Sequence, residues 1–276
     1  MTATGFGPLV DADWLEAHLA EVRVVDVRWY LGGPPGRQAY DEGHIPGAVF
    51  LDVDTDLSAP ASVADGRHPL PTPEAFALAL GRVGIAAGEQ VVAYDDRGGS
   101  TAARLWWLLH ALGEPVAVLD GGLPAWPGPV STDEPQYRRV VREPRPWPAA
   151  SFVGADTVAG RVAHAAATVL DARSAERYAQ GDPAVDPRPG HVPGSVSAPW
   201  GDNLDPATGL FLPPDELRER FAALGATGPV IAYCGSGVTA CHDLLALTLA
   251  GADGLALYAG SWSQWANDPA RPVETG

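Results

Sequence analysis

Hydrophobic residues along the chain fall into two alternating patterns. Short runs such as "VVDV" (24–27), "VVAY" (91–94), "VLD" (169–171) and "VIAY" (230–233) are largely apolar stretches of the kind that form buried strands, two of them carrying one Asp. Segments with helical spacing lie between them: "TPEAFALALGRVG" after "HPLP", "PPDELRERFAALG" after "LFL", and "TACHDLLALTLAG", which should end at Gly251. The first two open on Pro and an acidic residue, a helix N-terminal signature. Strands alternating with helices predict an α/β fold, a mostly parallel sheet flanked by helices. In such folds ligands sit at the C-terminal ends of strands, where helices begin.

The pattern occurs twice. "VVDVR" (24–28) returns as "VLDAR" (169–173), "GHIPGA" (43–48) as "GHVPGS" (190–195), "VVAYDDRGG" (91–99) as "VIAYCGSGV" (230–238), and "VLDGG" (118–122) as "LYAGS" (257–261). The order is kept at offsets of roughly 140 residues, so the chain is an internal duplication. Residues 1–126 form the first copy and 151–276 the second; the Pro- and charge-rich stretch 127–150 reads as a linker.

Composition narrows the chemistry. The 276 residues are 46% hydrophobic and 19% charged, the make-up of a globular protein with a real core. A net charge of −16 argues against nucleic acid or an anionic membrane as partner. All 18 basic residues are Arg, which excludes a Schiff-base or P-loop lysine. Cys234 and Cys241 are too few for a disulfide framework, and no cysteine pairs suggest zinc. No charged, apolar leader opens the chain and no apolar run is long enough to span a bilayer, so a cytoplasmic location is expected.

The strand-to-helix turn "CGSGVT" (234–239) is the candidate site. Gly235 and Gly237 let successive N–H groups curl inward as an anion nest, and the following helix adds positive potential. A cysteine there is favoured as the thiolate that acts as nucleophile; a small buried residue ending a strand is the alternative. A cysteine phosphatase needs an Arg six residues after its nucleophile, and that position is Ala240. Sulfur transfer needs only a thiolate, N–H donors for a persulfide, and a place for the donor's anionic part.

"GHIPGA", "LDGGLPAW", "GHVPGS", "CGSGVTA" and "GSWSQW", in that order, resemble the two-domain rhodanese-family sulfurtransferases over essentially the whole chain. The resemblance implies tandem rhodanese domains, a nucleophile in the second only, and a ping-pong reaction through a cysteine persulfide without cofactor or metal. The first copy agrees, since Asp95 stands where the second has Cys234. Its loop is one residue longer before the Thr.

The resemblance extends to the donor. Thiosulfate-specialised members tend to carry basic residues after the Cys, whereas Gly235 and Ser236 follow it here, as in the 3-mercaptopyruvate type. That type holds the donor with two arginines, which match Arg177 in "ERY" and Arg188 in "DPRPGHVPG". Each could instead be a surface Arg in an ion pair. The implied site is then Cys234, Gly235, Ser236, Gly237, Val238 and Thr239, with Ser236 bonding the sulfur or moving a proton and Thr239 ordering the loop and capping the helix. A first-domain His near the sulfur matches His44, as proton donor to the departing enolate or as a corner-packing residue like His191. Its acidic partner has no match in "GRQAYDEGHIPG", and Cys241 reads as core. The expected reaction moves sulfur from 3-mercaptopyruvate to cyanide, a small thiol or a thioredoxin-like protein; thiosulfate as donor and a non-catalytic sulfur-binding module are the alternatives.

Overall fold

Every one of those apolar runs lies in a parallel sheet. In the computed structural model, which describes residues 6–276, the strands are β1 (Leu9–Val10), β2 (Arg23–Asp26), β3 (Val49–Phe50), β4 (Val91–Tyr94), β5 (Val116–Leu119), β6 (Thr168–Asp171), β7 (Val196–Ser197), β8 (Val230–Tyr233) and β9 (Leu255–Leu257). The absence of a leader was read partly from residues 1–5, which lie outside the described residues. One sheet has the order β1-β5-β4-β2-β3 and the other β7-β6-β8-β9, with all pairs parallel. Strands β5-β4-β2-β3 and β9-β8-β6-β7 repeat one topology, as a duplication requires. The central strands β4 and β8 are buried at every position, which explains their uninterrupted apolar sequence.

The helices Pro73–Arg82, Pro214–Ala223 and Ala240–Leu249 occur where periodicity places them. Thr72 caps the first, accepting a bond from the amide of Ala75. Gly251, at φ +81°, follows the last. Among the described residues no helix is long and apolar enough to cross a membrane.

The chain divides into two units. One comprises the residues up to Ala59 with Pro71–Trp147 and Thr208–Leu210; the other comprises Pro60–Leu70, Pro148–Ala207 and Phe211–Gly276. Residues 60–70 thus belong to the second unit although they lie within the sequence of the first copy. The stretch 127–147 has little regular structure but is strapped to the first unit: Val140 N–H bonds Gly81 O, Tyr137 Oη bonds Gly47 O, and Arg142 pairs with Glu114 at 2.9 Å.

The repeated "D-x-R" and "GH-x-PG" segments make the same corner twice. Arg28 clamps Asp26 and donates to Gly43 O; Arg173 clamps Asp171 and donates to Gly190 O. The hydroxyls of Tyr94 and Tyr233, at the ends of β4 and β8, accept the amides of Ile45 and Val192.

His44 belongs to this corner, in line with the packing alternative for it. It is fully buried, stacks on Tyr40 at 3.9 Å, and its ring nitrogens lie 2.8 Å from Tyr40 O and 3.1 Å from Asp133 O. His191 stacks on Tyr178 in the same way at 3.6 Å, with Nδ1 3.0 Å from Tyr178 O. Both copies keep this histidine while only one keeps the cysteine, so its work is to hold the corner.

Candidate active site

Strand β8 delivers Cys234 to the mouth of helix Ala240–Leu249, and the loop between them is bolted to the segment that follows β9. The Cys234 amide donates to Ser261 Oγ (3.1 Å), Cys234 O accepts from Trp262 N, and Gly235 O accepts from Ser263 N. Ser261 adopts φ +52°, a region unusual for a residue with a side chain, and its hydroxyl also donates to Tyr258 O. Gly237 is at φ +79°, and a Cβ there would lie 2.5 Å from Ala259 O, so only glycine fits. Its amide donates to Cys234 Sγ at 3.1 Å. Val238 is buried. Thr239 occupies the helix N-cap position, but its backbone is already helical and its side chain makes no capping bond, contrary to the expected role. Cys241 is fully buried with Sγ 3.4 Å from Gly237 O, a core residue under the loop.

The first copy displays the same turn already filled by an anion. The Asp95 carboxylate accepts the amides of Arg97, Gly99, Thr101 and Ala102 at 2.7–2.9 Å. Strand-to-helix geometry aims those N–H groups at the first loop side chain whatever it is. In the second copy Gly237 N–H points at sulfur, and among the described residues the amides of Thr239 and Ala240 meet no protein acceptor. The turn is an anion nest, with a thiol at its centre.

Beside it stands a histidine that the sequence reading overlooked. His68 is 2% exposed and its Nδ1 lies 2.7 Å from Ser236 Oγ, 168 residues away in sequence. The segment 60–70 carries it there. Arg67 N bonds Ser263 Oγ, Gln264 Nε2 bonds Ala64 O, and Gly66 (φ +92°) packs so closely that a Cβ would lie 2.7 Å from Gly260 O. One sequence signal was available: "DGRHPLP" has no His counterpart in "TGLFLPPDEL", the stretch before the matching helix of the second copy.

The two expected arginines separate. Arg177 reaches the loop, since a Cβ on Gly235 would lie 3.0 Å from its Nη2. Its Nε and Nη2 are held by Asp186 at 3.1 and 2.6 Å. Arg188 does not bind there. Its Nε donates to Ala266 O, and its Nη2 points at Trp265 O, Asp268 O and Arg271 O, all within 3.3 Å. This guanidinium ties the C-terminal segment together, and adjacency to "GHVPG" in sequence does not decide where it points. In its stead Arg67 arrives from the 60–70 segment: its Nη2 would also be 3.0 Å from a Cβ on Gly235, while Nη1 donates to Val185 O.

Two α/β units of one topology, with a cysteine in the strand-to-helix turn of the second and a carboxylate in the first, define the class: a tandem-domain fold with one thiol-bearing anion nest. The rhodanese-like domain model matches residues 11–128 and 155–268. The chain belongs to the rhodanese family. Relatives include the probable 3-mercaptopyruvate sulfurtransferase of Pseudomonas aeruginosa, 45% identical across 97% of this chain and 98% of the relative. The putative thiosulfate sulfurtransferase of Mycobacterium tuberculosis is 39% identical across 92% and 91%. The crystal structure of a 3-mercaptopyruvate sulfurtransferase from Escherichia coli superposes with a TM-score of 0.79 at 32% identity, covering 93% of this chain and 99% of that one.

Proposed function

We propose that the protein is a sulfurtransferase that takes sulfur from 3-mercaptopyruvate onto Cys234 and passes it to a thiol or to cyanide. The observation that carries this reading is the loop itself: a cysteine in an anion nest, the Gly237 amide on its sulfur, and a Ser236–His68 pair alongside. The names of full-length relatives support the donor.

In the first half-reaction the Cys234 thiolate attacks the donor's thiol sulfur. The sulfur–carbon bond breaks, its electron pair goes to the methylene carbon as pyruvate enolate, and protonation of that carbon gives pyruvate. Ser236, bonded to His68 and two residues after Cys234, is the proton carrier of this reading. The persulfide left on Cys234 loses its proton and its outer sulfur rests among the loop N–H groups. In the second half-reaction an acceptor thiolate or cyanide attacks that outer sulfur and restores the Cys234 thiolate. Small thiols and thioredoxin-like proteins are the acceptor class, and no step calls for a metal or cofactor.

A second reading, thiosulfate as donor, is favoured by one observation: a full-length relative, from Mycobacterium tuberculosis, is a putative thiosulfate sulfurtransferase. Mass spectrometry after incubation with each donor separates the two. One sulfur atom added to Cys234 faster from 3-mercaptopyruvate supports the main reading; faster loading from thiosulfate replaces it; no added sulfur from either leaves a binding module. Both free cysteines are buried, which suits a reducing compartment, and we place the protein in the cytoplasm. Recovery from an exported fraction would refute that placement.

A further inference from the structure

We infer that Ser261 is a positioning residue for the nucleophile: its hydroxyl holds the backbone of Cys234 so that the amides of the loop face the sulfur. The inference rests on the sulfurtransferase reading above and adds a residue to that site.

The two copies differ at this position in an informative way. "VLDGG" (118–122) and "LYAGS" (257–261) correspond, so Gly122 holds in the first copy the place of Ser261 in the second. Both residues are left-handed, at φ +60° and +52°. Both turns also bolt the strand-to-helix loop in the same way: Leu123 N–H donates to Asp95 O at 2.8 Å, and Trp262 N–H donates to Cys234 O at 3.0 Å. The turn itself therefore asks for glycine, which adopts that backbone freely. A serine there is strained, and strain of this kind persists where a side chain has a task.

The task is visible in its contacts. Ser261 is fully buried, and its hydroxyl donates to Tyr258 O at 2.9 Å, which leaves its lone pairs to accept the Cys234 amide at 3.1 Å. Trp262 N–H holds Cys234 O and Ser263 N–H holds Gly235 O at 2.9 Å, so three successive residues grip three successive polar groups of the loop backbone. A trans peptide points its C=O and N–H opposite ways. Fixing the carbonyls of Cys234 and Gly235 on the 261–263 turn thus sends the amides of Gly235 and Ser236 to the other side, and among the described residues neither meets a protein acceptor. Asp95 needs no such help, because its carboxylate gathers four amides by itself. A sulfur is a weaker acceptor and here takes the one amide of Gly237, so the order of its loop has to come from outside. Ser261 supplies the hold on the residue that carries the sulfur.

Ser261→Gly and Ser261→Ala separate the hydroxyl from the strain. Both remove the acceptor of the Cys234 amide; only glycine also relaxes the backbone, so Ser261→Ala should unfold at the lower temperature of the two. Each variant and the wild type are compared in iodoacetamide alkylation of Cys234 against pH, located by mass spectrometry, and in single-turnover sulfur loading from 3-mercaptopyruvate. With the loop amides released, the pH midpoint of alkylation should rise by about one unit in both variants. Loading at saturating donor should slow about tenfold in both, with the half-saturating donor concentration changed by less than about threefold. Ser261→Gly is expected to unfold within about 5 °C of the wild type, so its losses report the loop and not the fold. A Ser261→Gly protein that keeps the wild-type pH midpoint would make the hydroxyl a structural bond only and overturn the inference. Losses found in Ser261→Ala alone would follow the strain and overturn it as well. Alkylation needs no sulfur donor, so a wild type that loads no sulfur sinks the sulfurtransferase reading while the pH midpoints still decide the role of Ser261.

Discussion

Asp95→Ala tests whether the strand-to-helix turn of this fold is an anion nest independently of any catalysis. The carboxylate accepts four backbone amides, those of Arg97, Gly99, Thr101 and Ala102. The Thr101 hydroxyl also approaches it, but has one proton and a closer acceptor in Val27 O. Leaving three buried N–H groups without an acceptor, and the part-buried Arg97 amide with water alone, costs about 3–4 kcal/mol in all at about 1 kcal/mol each, the low end of the usual range. Water entering the vacated space recovers part of that, so a loss of about 3 kcal/mol is expected. For a unit of this size that lowers the unfolding midpoint by roughly 6–12 °C. Asp95→Asn keeps one accepting oxygen but turns N–H donors on the remaining amides, and should lose about half as much. Thermal and urea unfolding followed by tryptophan fluorescence report it, since Trp106 and Trp107 are buried in the helix that begins at Ala102. A loss below about 1 kcal/mol for Asp95→Ala would mean the amides are satisfied without an anion, and the persulfide cradle argued for Cys234 would lose its internal precedent.

Four further outcomes follow from named contacts. Ser236→Ala and His68→Gln should each slow sulfur loading on Cys234 by about a hundredfold with KM little changed, the signature of lost proton transfer; a pure KM effect in stopped-flow assays would contradict it. Arg188→Gln removes the donor to the carbonyls of residues 265–271 and should destabilise the second unit by about 2–3 kcal/mol, read by urea unfolding; an unaltered midpoint would return Arg188 to the surface. His44→Gln should lower stability by about 1–2 kcal/mol while leaving kcat intact, and a specific loss of kcat would restore its expected catalytic role. Asp243 is fully buried, and burial pushes its carboxyl up to about 7. The folded chain therefore keeps a proton that the unfolded chain releases above its ordinary value of 3.8, so this group's contribution to stability falls as pH rises from about 4 to about 7. Asp243→Asn removes the effect, and its stability relative to wild type should climb across that window by up to about 4 kcal/mol; a pH-independent difference in urea midpoints refutes the assignment.

The parts of this protein that were legible in its sequence are those fixed by local pattern. Strands β4 and β8 are apolar at every position because both faces are covered, and helix Ala240–Leu249 stops where Gly251 takes up a left-handed φ. The cysteine-bearing turn was legible for the same reason, since strand, cysteine, two glycines and helix are contiguous. Duplication then acted as an internal control. It assigned Asp95 to a non-catalytic copy, and it also held the answer for His44, because His191 makes the same stack beside a loop in the other copy.

What stayed hidden was the partnership of distant segments. Nothing local in "SAPASVADGRHPLP" says that residues 60–70 join the second unit, because the contacts that fix them are backbone and small-side-chain bonds to Gly260–Gln264. His68 and Arg67 travel with that segment, so the imidazole at Ser236 and the guanidinium at Gly235 both escape a local reading for one reason. Arg188 was misread for the converse one: its place next to a recognisable motif is a fact about the chain, whereas its function is set by four carbonyls more than 70 residues further on. Arg67 and Arg177, and not Arg188, are therefore the guanidinium groups that stand beside Gly235. A neutral Gly235–Ser236 pair after the nucleophile does not lower the positive charge of the site. With no side chain, Gly235 leaves the space in which both Nη2 atoms stand, each 3.0 Å from where its Cβ would lie.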